Sequence, residues 1–243
     1  MTAEPRSAFY ALAPGGWRDY VTLLHPPYTL WHLSYVAIGA GLAPNLEAKR
    51  LLLALAAFFL AVGIGAHALD ELHGHPLQTR IPDRTLAVLA AASIGGAVAI
   101  GVYASIAYTG WLAPLVAAGA FIVCAYNLEL FGGAFHGDAW FALAWGSFPL
   151  LAAYLAAAER VTVEALLAAL FAGLLSLAQR RLSTQVRMVR RRVAAVSGTI
   201  ELRDGGRKPL TAETLTRTPE GALRALTLAV AALAVALVVL RLK

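Results

Sequence analysis

Residues Arg50 to Leu69 are mostly apolar and about as numerous as a bilayer-spanning helix requires. The run ends in a polar knot, His67-Ala-Leu-Asp70-Glu71-Leu-His73-Gly-His75. A run of this kind fixes the environment of the fold, because it belongs in hydrocarbon. The knot then lies where a membrane helix meets water. Ionisable groups at that depth are costly and are usually kept because they bind or react with something.

The rest of the chain agrees. It is 59% hydrophobic and only 14% charged, whereas about a quarter of the residues in a soluble domain are charged. Further Ala/Leu/Val runs place seven spans at roughly 28–44, 50–69, 86–108, 111–131, 139–158, 162–179 and 221–241. The expected fold is therefore all-α: a polytopic transmembrane helical bundle forming one integral membrane domain over residues 1–243. Asn45, Asp83 after Pro82, and Thr218-Pro219-Glu220 read as helix starts, and Thr109-Gly110 as a break. The N-terminal stretch has no basic start followed by an apolar core, so no cleaved signal peptide is expected. Cys124 stands alone in an apolar run and reads as a small core residue.

Seven spans put the N-terminus, the 70–85 and 132–138 loops and the 180–220 segment on one side. Fifteen of the 20 Lys and Arg residues fall there, and five (Lys49, Arg50, Arg160, Arg241 and Lys243) on the other. That bias makes the first side cytoplasmic and the host an inner or plasma membrane. It also accounts for the net charge of +6, so membrane lipids rather than nucleic acid are the expected partners. Between Arg180 and Val196, apolar residues at 182, 186, 189, 193 and 196 alternate with arginines. This pattern reads as an amphipathic helix lying on an anionic leaflet. Around Asp204-Gly205 the chain reads equally as a small hairpin or an irregular loop.

With this topology the unusual polar residues gather at the cytoplasmic ends of the spans. His25, Tyr28, His32 and Tyr35 share one face of the first helix, and His67, Asp70 and His73 one face at the end of the second. Tyr126, Asn127 and Glu129 close the fourth, His136 and Asp138 follow, and Gln179, Arg180 and Arg181 close the sixth. A common polar chamber explains the pattern. Plainer roles exist for several members. Asp138 and Asp83 suit helix N-caps, His73 and His75 suit a solvated loop, and His25 suits an interfacial position. Glu71 suits a surface pair with Arg80 or Arg84, and Tyr126 and Trp140 suit interfacial anchors. His67, Asp70, Asn127 and Glu129 are each flanked by apolar residues at membrane depth, which favours function.

In order and spacing, residues 20–180 resemble the UbiA superfamily of intramembrane prenyltransferases. Ala66-His67-Ala-Leu-Asp70-Glu-Leu-His-Gly74 resembles the family's first Asp-rich motif, with Thr79-Arg80-Ile-Pro82 following it. Tyr126-Asn127-Leu-Glu129-Leu is similar to its Tyr-Ser-x-x-Leu-Lys segment, and Thr22-Leu-Leu-His25-Pro26 to its Arg-Pro lead-in. The resemblance implies a shortened, divergent transferase acting on a prenyl or other lipid (di)phosphate, with Mg²⁺ as cofactor. Only Asp70 matches the central Asp of the first motif; His67 replaces one Asp and Gly74 another. In place of the second motif stands Gln179-Arg180-Arg181-Leu-Ser-Thr-Gln-Val-Arg187.

On this reading Asp70, His67, Asn127 and Glu129 are the catalytic candidates. Arg80, Tyr126, Gln179, Arg180, Arg181 and His32 bind substrate, the arginines through phosphate oxygens. Asp70, His67, His73 and Glu129 are the candidate metal ligands. Two alternatives stand beside it. One is a membrane enzyme using Zn²⁺ or Fe²⁺ on the same His/carboxylate set, since imidazole suits those metals. The other is a lipid-binding scaffold without catalysis. The charge bias makes a direct prediction: a cysteine introduced at Asp204 is labelled by a membrane-impermeant thiol reagent in inside-out vesicles only, and labelling in right-side-out vesicles contradicts the orientation.

Overall fold

The computed structural model describes residues 6–242. Residues 1–5, which begin the N-terminal stretch, and Lys243, one of the five basic residues assigned to the outer side, lie outside the described residues. A short helix α1 (Trp17–Leu23) leads into α2 (Pro26–Leu42), α3 (Ala48–Leu72), α4 (Asp83–Ala107) and α5 (Leu112–Asn127). Then follow α6 (Asp138–Ala158), α7 (Val163–Arg192), a hairpin of β1 (Thr199–Glu201) and β2 (Arg207–Pro209), and α8 (Ala212–Arg241). The protein is an all-α bundle in which α3, α4, α6, α7 and α8 are long and apolar enough to cross a membrane. α2 and α5 are shorter, at 17 and 16 residues. At about 1.5 Å per residue they measure roughly 26 and 24 Å, against about 30 Å of hydrocarbon.

Several boundaries differ from those the sequence predicts, each for a local reason. The fourth run stops at Asn127 rather than 131 because Glu129, Phe131 and Gly132 take left-handed backbone conformations. The sixth run does not end at 179. α7 continues unbroken to Arg192, so the arginine-rich stretch is the extension of a bundle helix and not a separate helix on the leaflet. The last helix starts nine residues before 221, where Thr211 and Thr214 form a reciprocal capping box, and Pro219 is carried inside it. Asp83 and Asp138 are the first residues of their helices rather than caps; Pro82 and Gly137 take the cap positions. Of the two readings around Asp204-Gly205, the structure adopts the hairpin, with Thr199 opposite Pro209 and Gly205 at positive φ.

α2 is the axis of the bundle, packed between α6 and α8 and with its side chains buried on most sides. Helices surrounded in this way are apolar nearly all round, which is why α2 shows little amphipathic bias. One core gathers Trp31, Tyr35, Leu150, Ala172 and Leu223 around it; a second gathers Leu23, Val62, Leu69, Val123, Tyr126 and Trp145. Small residues set the closest approaches. A Cβ on Gly39 would overlap the Leu150 carbonyl, and one on Gly146 would lie 2.6 Å from the Ala172 carbonyl. Lipid supplies little drive for helix association, so such backbone-to-backbone packing carries much of it.

Both α3 and α6 contain a π-helical segment, Phe59–Ala66 and Ala142–Ser147. Each interrupts the regular backbone ladder a few residues from the polar end of its helix, where π turns often mark functional positions.

Gly39→Ala is expected to lower the midpoint of thermal unfolding in detergent clearly. Gly95→Ala, whose added Cβ meets nothing within 4 Å, leaves it unchanged or raises it. Equal midpoints for the two variants contradict the packing.

Candidate functional site

The polar groups collect at one end of the bundle, where α3 and α5 finish, α2, α4 and α6 begin, and α7 and α8 pass. The centre is a pair of imidazoles. His25 and His67 stack with ring centroids 4.1 Å apart and planes 9° from parallel. His25 sits at the start of α2 with φ 46°, a left-handed backbone position uncommon outside glycine and most often taken by Asn, Asp or His among the other residues. Pro26 and Pro27 follow it and lock the first helical turn. Its Nδ1 lies 2.9 Å from the Tyr10 hydroxyl, and its Nε2 is buried without a partner. Burial holds the His25 imidazole well below its ordinary pKa, reinforced by His67 and by the charges of Arg191 and Arg187. Burial likewise holds the Tyr10 hydroxyl well above its usual value.

The π segments orient His67 and a third histidine, His32. His67 Nδ1 lies 3.1 Å from the Gly63 carbonyl, in the π turn of α3; His32 Nδ1 lies 2.8 Å from the Trp145 carbonyl, in that of α6. A carbonyl can only accept, so both rings carry their proton on Nδ1 and, when neutral, present a bare Nε2. His136 is held the same way by the Tyr126 carbonyl at 3.0 Å.

Asp70 is half-buried one turn beyond His67. Among the described residues it has no hydrogen-bond or ion-pair partner. The charges acting on it are those of Arg191, Arg187, Glu71 and His136. Arg187 and Arg191 also act on Tyr10, His25 and Tyr28. Neither forms an ion pair among the described residues; Arg191 Nε donates to the Ser7 carbonyl at 3.2 Å and Arg187 to Thr184 Oγ1 at 3.0 Å. Arg190, between them, is neutralised by Glu220 at 2.5 Å.

A second group adjoins the first. Tyr126 lies against the rings of His136 and Trp145, at 4.4 and 4.3 Å. Arg180 donates to the Tyr126 hydroxyl and pairs with Asp138 at 2.6 Å. The charges of Asp70 and Arg187 also reach Tyr126, which joins the two groups into one layer.

The structure thus gathers Asp70, His67, His32 and Tyr126, and places Gln179 in the interior with its Oε1 unpartnered. Other candidates are engaged elsewhere. Asn127 is buried and donates to the Val123 carbonyl at 2.7 Å. Glu129 is half-exposed and 3.8 Å from His136. His73, Arg80 and Arg181 are exposed, and Arg180 is already paired. Glu71 does not pair with Arg80 or Arg84. It is fully buried and accepts the Leu77 and Thr79 backbone N–H groups at 2.9 and 2.8 Å, pinning the loop after α3. His75 reaches Asp83 at 3.1 Å.

The residues do not form the expected metal site. Among the described residues no three His, Cys, Asp or Glu side chains gather closely enough to hold an ion. With His73 exposed and Glu129 turned to His136, the set of Asp70, His67, His73 and Glu129 is dispersed.

Tyr10, Arg187 and Arg191 are members that the sequence did not single out; His25 it placed on the polar face of the first helix, with an interfacial position as the plainer role. Arg180, Arg187 and Arg191 stand seven and four residues apart, one face of a continuous helix, and that spacing was the available signal. No family model matches the chain, and no curated protein or solved structure matches it either.

The two adjacent carboxylates have opposite expectations. Glu71→Ala strands two N–H groups and is expected to cost roughly 2–4 kcal/mol of stability in chemical unfolding, whereas Asp70→Asn costs little because Asp70 has no partner. Equal losses contradict this assignment of roles.

Proposed function

We propose that the protein is a multi-pass protein of the inner or plasma membrane, with seven spans and a cytoplasmic N-terminus, that binds and acts on a prenyl or other lipid (di)phosphate as a UbiA-like transferase. One observation carries the reading. Arg187 and Arg191, free of ion pairs among the described residues, converge with Asp70 on a buried imidazole and phenol cluster at one end of an apolar bundle. Unpaired guanidinium groups in such surroundings favour a phosphate, which they hold by charge-assisted hydrogen bonds. The order of the polar segments along the chain supports the family reading.

In the reaction so inferred, the carbon–oxygen bond of the lipid phosphate breaks and its electron pair leaves on the phosphate oxygen. Arg187 and Arg191 stabilise the charge that develops there. The same carbon bonds to the acceptor, whose displaced proton passes to Asp70 or to the bare Nε2 of His67. Arg180 serves as a positioning residue, since it fixes the Tyr126 hydroxyl while Asp138 neutralises it.

The test uses the full chain in liposomes with radiolabelled farnesyl diphosphate. Saturable binding is expected, weakened tenfold or more by Arg191→Gln, on the order of one charge-assisted contact. Asp70→Asn should bind normally and lose release of inorganic diphosphate in the presence of acceptor. Absence of saturable binding by the unaltered protein, or indifference to both substitutions, overturns the proposal.

A further inference from the structure

An apolar cleft of the protein extends away from the polar cluster. It lies between α3, α4, α5 and α6, and runs along α3 from Val62 to Arg50. Twelve residues of helix make it roughly 18 Å long, at about 1.5 Å per residue. Ala57, Ala97, Gly101 and Ala120 line it and leave its width open. Val62, Val123 and Trp145 form the end nearest the polar cluster, and all three belong to the packed core there. Its far end is closed by Arg50 and Tyr108, at the end of the bundle remote from the histidines.

That far end holds two polar atoms that lack a well-formed hydrogen bond among the described residues, although the Tyr103 side chain lies beside Tyr108. They are the Arg50 Nε and the Tyr108 hydroxyl, both buried. The guanidinium lies over the tyrosine ring, its carbon 4.3 Å from the centroid. The rest of Arg50 is fully engaged. One terminal nitrogen donates to Glu159 at 2.6 Å and to the Ala156 carbonyl at 3.0 Å, and the other pairs with Glu47 at 3.2 Å. Buried donors and hydroxyls left open in this way are uncommon, and each asks for a ligand or water that completes it.

The chemistry restricts the occupant. Arg50 and the neighbouring Lys49, which donates to the Tyr103 hydroxyl at 2.9 Å, are balanced by Glu47 and Glu159, so a further anion finds no net positive charge there. A neutral oxygen needs no such charge. It can accept from the Nε–H and exchange a hydrogen bond with the Tyr108 hydroxyl. The walls demand an apolar chain. We propose that this cleft is a second lipid site, taking a single-chain amphiphile of about 18 Å whose uncharged terminal oxygen, a hydroxyl or carbonyl, sits between Arg50 and Tyr108. The polar end of this site is separate from the histidine cluster, and only the apolar wall at Trp145 is common to both.

The experiment incorporates the full chain into nanodiscs and titrates it with 1-tetradecanol, tetradecane or myristate, reading bound probe by native mass spectrometry. One tetradecanol per chain is expected, bound at least fivefold more tightly than tetradecane, on the order of one hydrogen bond. Myristate should bind no better than the alcohol. Tyr108→Phe should remove most of the alcohol's advantage and leave tetradecane unchanged. Ala120→Leu, which narrows the cleft without touching the polar end, should weaken both. Equal binding of alcohol and alkane by the unaltered protein overturns the proposal, as does a Tyr108→Phe variant that keeps the alcohol's advantage or an Ala120→Leu variant that binds both probes normally.

Discussion

The cost of placing charge inside an apolar bundle organises this molecule. Its ionisable groups are neutralised in pairs, set at helix ends, or gathered where they support one another. Arg50 with Glu47 and Glu159, Arg180 with Asp138, and Arg190 with Glu220 are examples of the first solution. Asp70, Arg187 and Arg191 differ, since their charges act on one another at the polar end while none of them forms an ion pair among the described residues. A cluster left incomplete in this way retains capacity for an outside charge.

The backbone serves the same end. The π segments of α3 and α6 each direct a carbonyl at an imidazole, and the left-handed residue at His25 turns its ring onto His67. Strained or irregular backbone persists only where surrounding packing holds it, and it concentrates at sites that bind or react. Glu71 and Asp19 hold the loops beside the cluster through backbone N–H groups, so these buried carboxylates act as fasteners.

The apolar architecture was legible in the chain because hydrocarbon imposes long, uninterrupted runs, and α3, α4 and α6 follow theirs closely. The stretch after Gln179 was not. Its arginines carry the signature of a surface helix, yet buried Ser183, Val186 and Val189 keep it within the bundle. Proline at 219 read as a start, but a helix can absorb it when an earlier cap such as Thr211 is stronger. Asp70 and His67 stood out because their neighbours are apolar. Tyr10 did not, since the N-terminal segment has no local sequence signal, and His25 was visible on its helix face but equally suited to an interfacial position. Glu129 looked equivalent to Asp70 until the positive φ at its own position carried its side chain toward His136.

The account stands on Asp70 of α3 and the arginine face of α7 sharing one space. Proximity crosslinking measures that directly. In a Cys124→Ala background, a short bis-maleimide should join Asp70→Cys to Arg191→Cys within one chain, while Arg192→Cys, on the exposed side of the same turn, stays unlinked. Efficient linkage through position 192 and none through 191 would place the arginine face elsewhere and dissolve the site.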